Sequence, residues 1–81
     1  MTAIETRVIR VLSRSAMIPK EMVTPDASLT TLDIKSLEQI ECVFALEDEF
    51  HVELHQPDLR KLRTVQDVID AVQRALAGPG A

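Results

Sequence analysis

The sequence predicts a small all-α bundle of three long helices and one short one, with a long loop between the first two. Three observations carry this. The chain has 81 residues, room for one domain at most. Apolar residues recur at helical spacing in three separate segments. No run alternates as a strand except residues 51–55, which is short.

The first helix is expected over residues 3–15. Ile4, Val8, Val11 and Leu12 fall at i, i+4, i+7 and i+8, with Arg7, Arg10 and Arg14 on the other side. The second is expected over 36–50, where Leu37, Ile40, Val43, Phe44, Leu46 and Phe50 cover one broad side. The third spans 65–77, with Val65, Val68, Ile69, Val72 and Leu76 on one face. Thr64 is a natural N-cap for it, and the acid Asp67 three residues on is close to a capping box.

The 16–35 connection cannot be one helix, because Pro19, Pro25 and the Thr24-Pro25-Asp26 turn signal interrupt it. Its Ile18, Met22, Val23, Leu29, Leu32 and Ile34 are too apolar for a free linker, so it reads as a packed loop. A loop this long in a compact domain is often functional. Pro57 can start a short helix through Leu62, with Leu59 and Leu62 inward. Residues 1–77 are expected to form the single domain and 78–81 a frayed tail. Ile40, Val43, Phe50, Val68 and Val72 are expected in the core, where truncation to Ala costs roughly 1–4 kcal/mol.

Composition excludes several functions. The only glycines, Gly78 and Gly80, lie at the C-terminal end, so no glycine-rich phosphate loop exists. Nine basic residues face thirteen acidic ones, for a net charge of -4, with no Trp and no Tyr. A nucleic-acid binder needs basic patches and stacking rings. The single cysteine, Cys42, cannot form an internal disulfide or a multi-cysteine zinc site. No apolar run reaches the ~18 residues of a membrane span, and the charged N-terminal segment does not read as a secretory signal. A cytoplasmic monomer is the expectation.

Charge is uneven. Seven acids from Asp33 to Glu53 face one base, Lys35, whereas the first helix is basic. On a helical wheel Glu38, Glu41, Asp48 and Glu49 share one arc of the second helix, and Glu47 belongs at the rim of the apolar side. Such a stripe is either a solvated face or a docking surface for basic partners.

Ser36 stands where the second helix begins. With Gln39 it reads locally as a capping box. It is no catalytic nucleophile, because no histidine lies near it in sequence and no glycines make a nucleophile elbow. With no base, metal set or nucleotide loop beside it, the chain is not expected to be an enzyme. A helix start does suit a phosphate ester, whose charge would meet free N–H groups and the positive end of the dipole. His51, Glu53 and His55 could share a face and bind a metal, but local spacing without a fourth ligand reads more simply as loop histidines. Cys42 reads as a packing residue, since acidic neighbours disfavour a thiolate. Arg60, Lys61 and Arg63 make a basic patch before the last helix.

Four blocks then carry a resemblance. Residues Leu32-Asp33-Ile34-Lys35-Ser36-Leu37-Glu38 resemble the L-G-x-D-S-L-D/E attachment motif of acyl carrier proteins. Ala45-Leu46-Glu47-Asp48-Glu49-Phe50 is similar to that family's A-L-E-E-E-F run. The 23–29 loop and the 62–68 segment resemble the corresponding parts of the family. The similarity covers nearly the whole chain, in order and without gaps.

The resemblance implies a four-helix bundle of the acyl-carrier type. Ser36 would carry 4'-phosphopantetheine, donated from coenzyme A by a phosphopantetheinyl transferase. The arm's thiol would hold an acyl group as a thioester for enzymes of fatty-acid, lipid or polyketide synthesis. The partners would be acyl-activating, synthase or acyltransferase enzymes with basic docking surfaces. Glu38, Glu41, Glu47 and Asp48 match the family's acidic recognition positions. Leu37 and Phe44 match apolar positions beside the arm and the acyl-pocket entrance. Two departures stand out: Lys35 replaces the family's usual Asp, and Asp33 its usual Gly. Lys35 reverses a charge beside the attachment site, which points to a specialised carrier with its own partners. An aminoacyl or peptidyl carrier, or an unmodified module that binds through its acidic helix, are the alternatives.

Overall fold

The computed structural model describes residues 3–54 and 61–78. Among the described residues three α-helices, α1 (Ala3–Ala16), α2 (Ser36–Phe50) and α3 (Val65–Ala77), pack with a 3₁₀ turn (Lys20–Met22) in the loop after α1. No strand occurs among the described residues; the only β-type pairing is an isolated bridge between Ser28 and Thr64. The short helix expected over 57–62 lies mostly outside the described residues, as do Leu59, Arg60 and His55.

Apolar periodicity becomes a core as expected for α1 and α3. Val8, Ile9, Val11 and Leu12 of α1 are buried against Val65, Val68, Ile69 and Val72 of α3 and against α2. Leu76, the penultimate residue of α3, is exposed instead. The loop closes the bundle: Val23, Leu29, Leu32 and Ile34 are buried and Ile18 packs partly against them. Met22 departs from the expectation and is exposed, because the 3₁₀ turn carries it outward.

Backbone hydrogen bonds fasten this loop to the start of α3. Leu29 N–H donates to the Arg63 carbonyl at 2.9 Å, Val65 N–H to Ala27 at 3.0 Å and Gln66 N–H to Pro25 at 2.8 Å. Thr64 caps as expected: its hydroxyl accepts from Asp67 N–H at 3.2 Å, and the Asp67 carboxylate accepts from Thr64 N–H at 3.1 Å. The first N–H groups of α3 therefore all have acceptors, which helix starts need.

The Arg63 and Thr64 N–H groups, in that order, hold the Asp67 carboxyl below its ordinary pKa. A depressed carboxyl contributes stability above the ordinary carboxylate range and loses it as pH falls through the folded value. Thr64→Ala is expected to cost about 1 kcal/mol in urea unfolding at pH 7. Asp67→Asn is expected to flatten the loss of stability toward acid, and an unchanged acid limb would contradict this role.

α2 ends under control of α1. It has no basic residue in its last turn, and Arg7 supplies one from across the bundle. The guanidinium donates to the Glu49 carbonyl at 3.1 Å and to Glu49 Oε2 at 3.0 Å, and lies 4.3 Å from the centre of the Phe50 ring. A cation there suits the negative end of the helix. His51 then turns the chain in the left-handed region, with φ 55°. Residues 51–54 form no strand.

Candidate functional site

α2 carries the site, and its apolar side divides in two. Cys42, Val43, Leu46 and Phe50 are buried. Leu37, Ile40 and Phe44 are 67%, 52% and 65% exposed. The expectation that Ile40 lies in the core is thus overturned. At ~100° per residue Leu37, Ile40 and Phe44 fall within a narrow arc roughly opposite Leu46. They form a stripe that starts one residue after Ser36. Glu41 and Asp48 are exposed beside it.

Ser36 is exposed and is the first residue of α2, so the expected Ser36–Gln39 capping box does not form. The N-cap is Lys35, in an extended conformation with φ -84° and ψ 176°. A lysine has no acceptor to offer, so no side chain caps the first turn. Only the reverse half of a box exists: the Glu38 carboxylate accepts from Lys35 N–H at 3.4 Å. Gln39 instead reaches back and donates from Nε2 to the Ile34 carbonyl at 3.2 Å. The first backbone bond runs from Gln39 N–H to the Lys35 carbonyl at 2.8 Å.

Asp33 sits in the left-handed region, with φ 61°. That backbone suits glycine, and Asp is among the few side chains that tolerate it. The turn is pinned by Asp33 N–H to Thr30 at 3.0 Å and Ile34 N–H to Leu29 at 2.9 Å. Lys35 Nζ stands 4.0 Å from Asp33 Oδ1, with both side chains largely in solvent.

The acids differ in their freedom. Glu47 is half-buried, as the rim position required, and its Oε2 accepts from Leu54 N–H at 2.9 Å. Glu38 is turned to Lys35, and Glu49 is held by Arg7. Glu41 and Asp48 remain as exposed acids of α2 without an ion pair among the described residues. Phe44, Glu47 and Asp48 share a shallow outer depression with Val52, Glu53 and Leu54.

Inside, a small apolar cavity of about 20 Å³ lies between Leu12, Leu29, Gln39, Cys42, Leu46 and Val68. It has room for about one water. Leu37 and Phe44 do not line it; Gln39, Cys42 and Val43 do. Burial, then Glu41 and Glu38, push the Cys42 thiol up to about 11. It is a neutral packing residue at neutral pH. No group of three metal-ligand side chains forms among the described residues, and His55 of the 51–55 trio lies outside them. Lys61 and Arg63 are exposed.

The missing sequence signal was Ile40. Its spacing with Leu37 and Phe44, at i+3 and i+7, marks a separate stripe, but it merges with the core positions when all six apolar residues are read as one side.

An exposed serine hydroxyl at a helix start whose first turn lacks a side-chain acceptor fits a phosphate ester chemically. The comparisons with known proteins concern the chain as a whole. Residues 6–72 match the family described as the phosphopantetheine attachment site. The chain is 36% identical to the acyl carrier protein of Thermosynechococcus vestitus over 72 residues, 88% of this chain and 89% of that one. It is 32% identical to the acyl carrier protein of Syntrophobacter fumaroxidans over 71 residues, 86% of this chain and 88% of that one. The solved acyl carrier protein of Thermotoga maritima superposes with a TM-score of 0.78 at 26% identity, over 89% of this chain and 85% of that chain. With family match, relatives and fold in agreement, the chain belongs to the acyl carrier protein family, phosphopantetheine-dependent carriers rather than catalysts.

Proposed function

We propose that the prosthetic arm is attached at Ser36 and that residues 1–77 act as one carrier unit. The unit presents acyl thioesters to enzymes of fatty-acid, lipid or polyketide synthesis. One observation carries this reading: Ser36 is exposed at the start of α2, one residue before the outward stripe of Leu37, Ile40 and Phe44. A partner that docks on the stripe has the attachment point at its edge.

The bound group supplies a mobile thiol that holds cargo as a thioester. Cys42 cannot take that role, since its thiol is buried and about 11 in pKa. The chain's own residues place the arm and select partners. Leu37 and Phe44 give a partner apolar contact, joined by Ile40. Glu41 and Asp48 attract its basic groups, which speeds encounter and sets orientation. Glu38 and Glu47 contribute their charge while keyed to the backbone of Lys35 and Leu54. Lys35 stands where a partner built for an acid would be repelled, and so narrows the choice of transferase and synthase. The 20 Å³ cavity holds no acyl chain as it stands, so any cargo taken inside must part the helices around Cys42 and Leu46. The single reduced thiol suits a cytoplasmic setting, and a monomer leaves the stripe open.

The test is loading of the modified protein. Acyl-activating ligases are expected to add an acyl mass, whereas amino-acid-activating enzymes add none. Loading by the second class alone would replace the acyl reading with an aminoacyl or peptidyl carrier.

A further inference from the structure

We propose that Lys35 is a positioning residue for the prosthetic arm: its ammonium holds the phosphodiester at Ser36, and that anion completes a helix start which the bare polypeptide leaves uncapped. The inference rests on the Ser36 attachment proposed above.

The starts of α2 and α3 differ. At α3 the loop carbonyls of Ala27 and Pro25 and the Thr64 hydroxyl serve the first N–H groups. At α2 the N-cap is a lysine and no side chain accepts from the first turn. Ser, Thr, Asp and Asn are the residues that serve an N-cap. A cation there also faces the positive end of the helix dipole. Lys35 is thus doubly unfavourable in the unmodified chain, and local conflicts of this kind are expected at functional or strained sites.

Nothing nearby corrects it. The Glu38 carboxylate is turned to the Lys35 N–H rather than to its ammonium. Asp33 Oδ1 is 4.0 Å from Nζ, and the two side chains are 82% and 74% exposed, so this pair is loose and solvated. Lys35 is free to change partner.

A phosphodiester on the Ser36 hydroxyl reverses both penalties. Its anionic oxygens supply the acceptors the first turn lacks, and its charge sits one residue from the ammonium. The lysine then favours the modified state. It would also restrain the root of the arm beside the Leu37–Phe44 stripe. An acid at residue 35 would repel the same phosphodiester and leave the arm looser.

The experiment uses the whole chain in unmodified and modified forms: the parent, Lys35→Arg, Lys35→Ser and Lys35→Asp. Intact mass first verifies one arm per molecule. Thermal midpoints and the ³¹P shift of the phosphodiester are then read at low salt and at about 0.5 M salt. Before modification, Lys35→Asp is expected to melt above the parent. Modification is expected to raise the midpoint of the parent and Lys35→Arg by about 2–6 °C, and to raise Lys35→Asp less or lower it. High salt narrows the difference. The ³¹P shift moves in Lys35→Ser and stays near the parent in Lys35→Arg. Equal midpoint changes in all four proteins, with an unmoved ³¹P shift, overturn the role of Lys35 while leaving the attachment intact. A parent that takes no arm overturns both.

Discussion

Truncation of Leu46 to Ala is expected to remove about 2–5 kcal/mol of stability, a large share of what a domain of this size has. Leu46 is 1% exposed and lines the internal cavity, so the deletion enlarges a void that already exists between α1, α2 and α3. Its neighbours Leu12 and Val68 are held by helices that cannot move inward without unpacking elsewhere, which keeps the cost toward the upper end. Urea unfolding should show the midpoint fall with an unchanged slope. Ile40→Ala is the control. At 52% exposed it should stay within about 0.5 kcal/mol of the parent. Equal losses at the two positions would mean that α2 is rotated relative to the orientation described.

The second large effect concerns partners and leaves the fold alone. Phe44 is 65% exposed, so Phe44→Ala should hardly alter the melting temperature. It is also the one aromatic on the outward stripe, and large apolar anchors dominate the energetics of small interfaces. A loss of about 2 kcal/mol in docking corresponds to a roughly 30-fold fall in kcat/KM of a ligase or synthase acting on the carrier. Glu41→Lys and Asp48→Lys should act more on the encounter rate, and more at low salt than at high. An unchanged kcat/KM for Phe44→Ala and Ile40→Ala together would place the docking surface elsewhere.

How much of this was legible in the sequence differs by helix. α3 was readable at both levels up to Val72, because Thr64 and Asp67 form a local capping pair and Val65, Val68, Ile69 and Val72 share one buried face, with only Leu76 near its end departing from it. α2 was readable in extent but not in orientation. It is apolar on two faces, one for the core and one for solvent, and periodicity sums them into a single broad side. Ile40 therefore went to the wrong face. The Ser36–Gln39 pattern failed for a related reason. Two overlapping four-residue frames compete at this helix start, and composition cannot tell which residue takes the extended N-cap conformation. The fold gives it to Lys35, since the Asp33 turn sets the chain direction one residue earlier.

The roles of Glu38 and Glu47 were also hidden. Their backbone partners, Lys35 N–H and Leu54 N–H, exist only once the flanking segments are in place. Asp33 is legible in the sequence only as a departure from the family's usual Gly. The structure supplies the reason: its φ is 61°, in the left-handed region that favours glycine and that Asp tolerates.

Intact mass tests the central claim most directly. The parent and Ser36→Ala are each incubated with coenzyme A, magnesium and a broad-specificity phosphopantetheinyl transferase. The account predicts a gain of one phosphopantetheine arm in the parent and none in Ser36→Ala. An arm gained equally by Ser36→Ala, or an unmodified parent with that transferase and with others of different specificity, would contradict it.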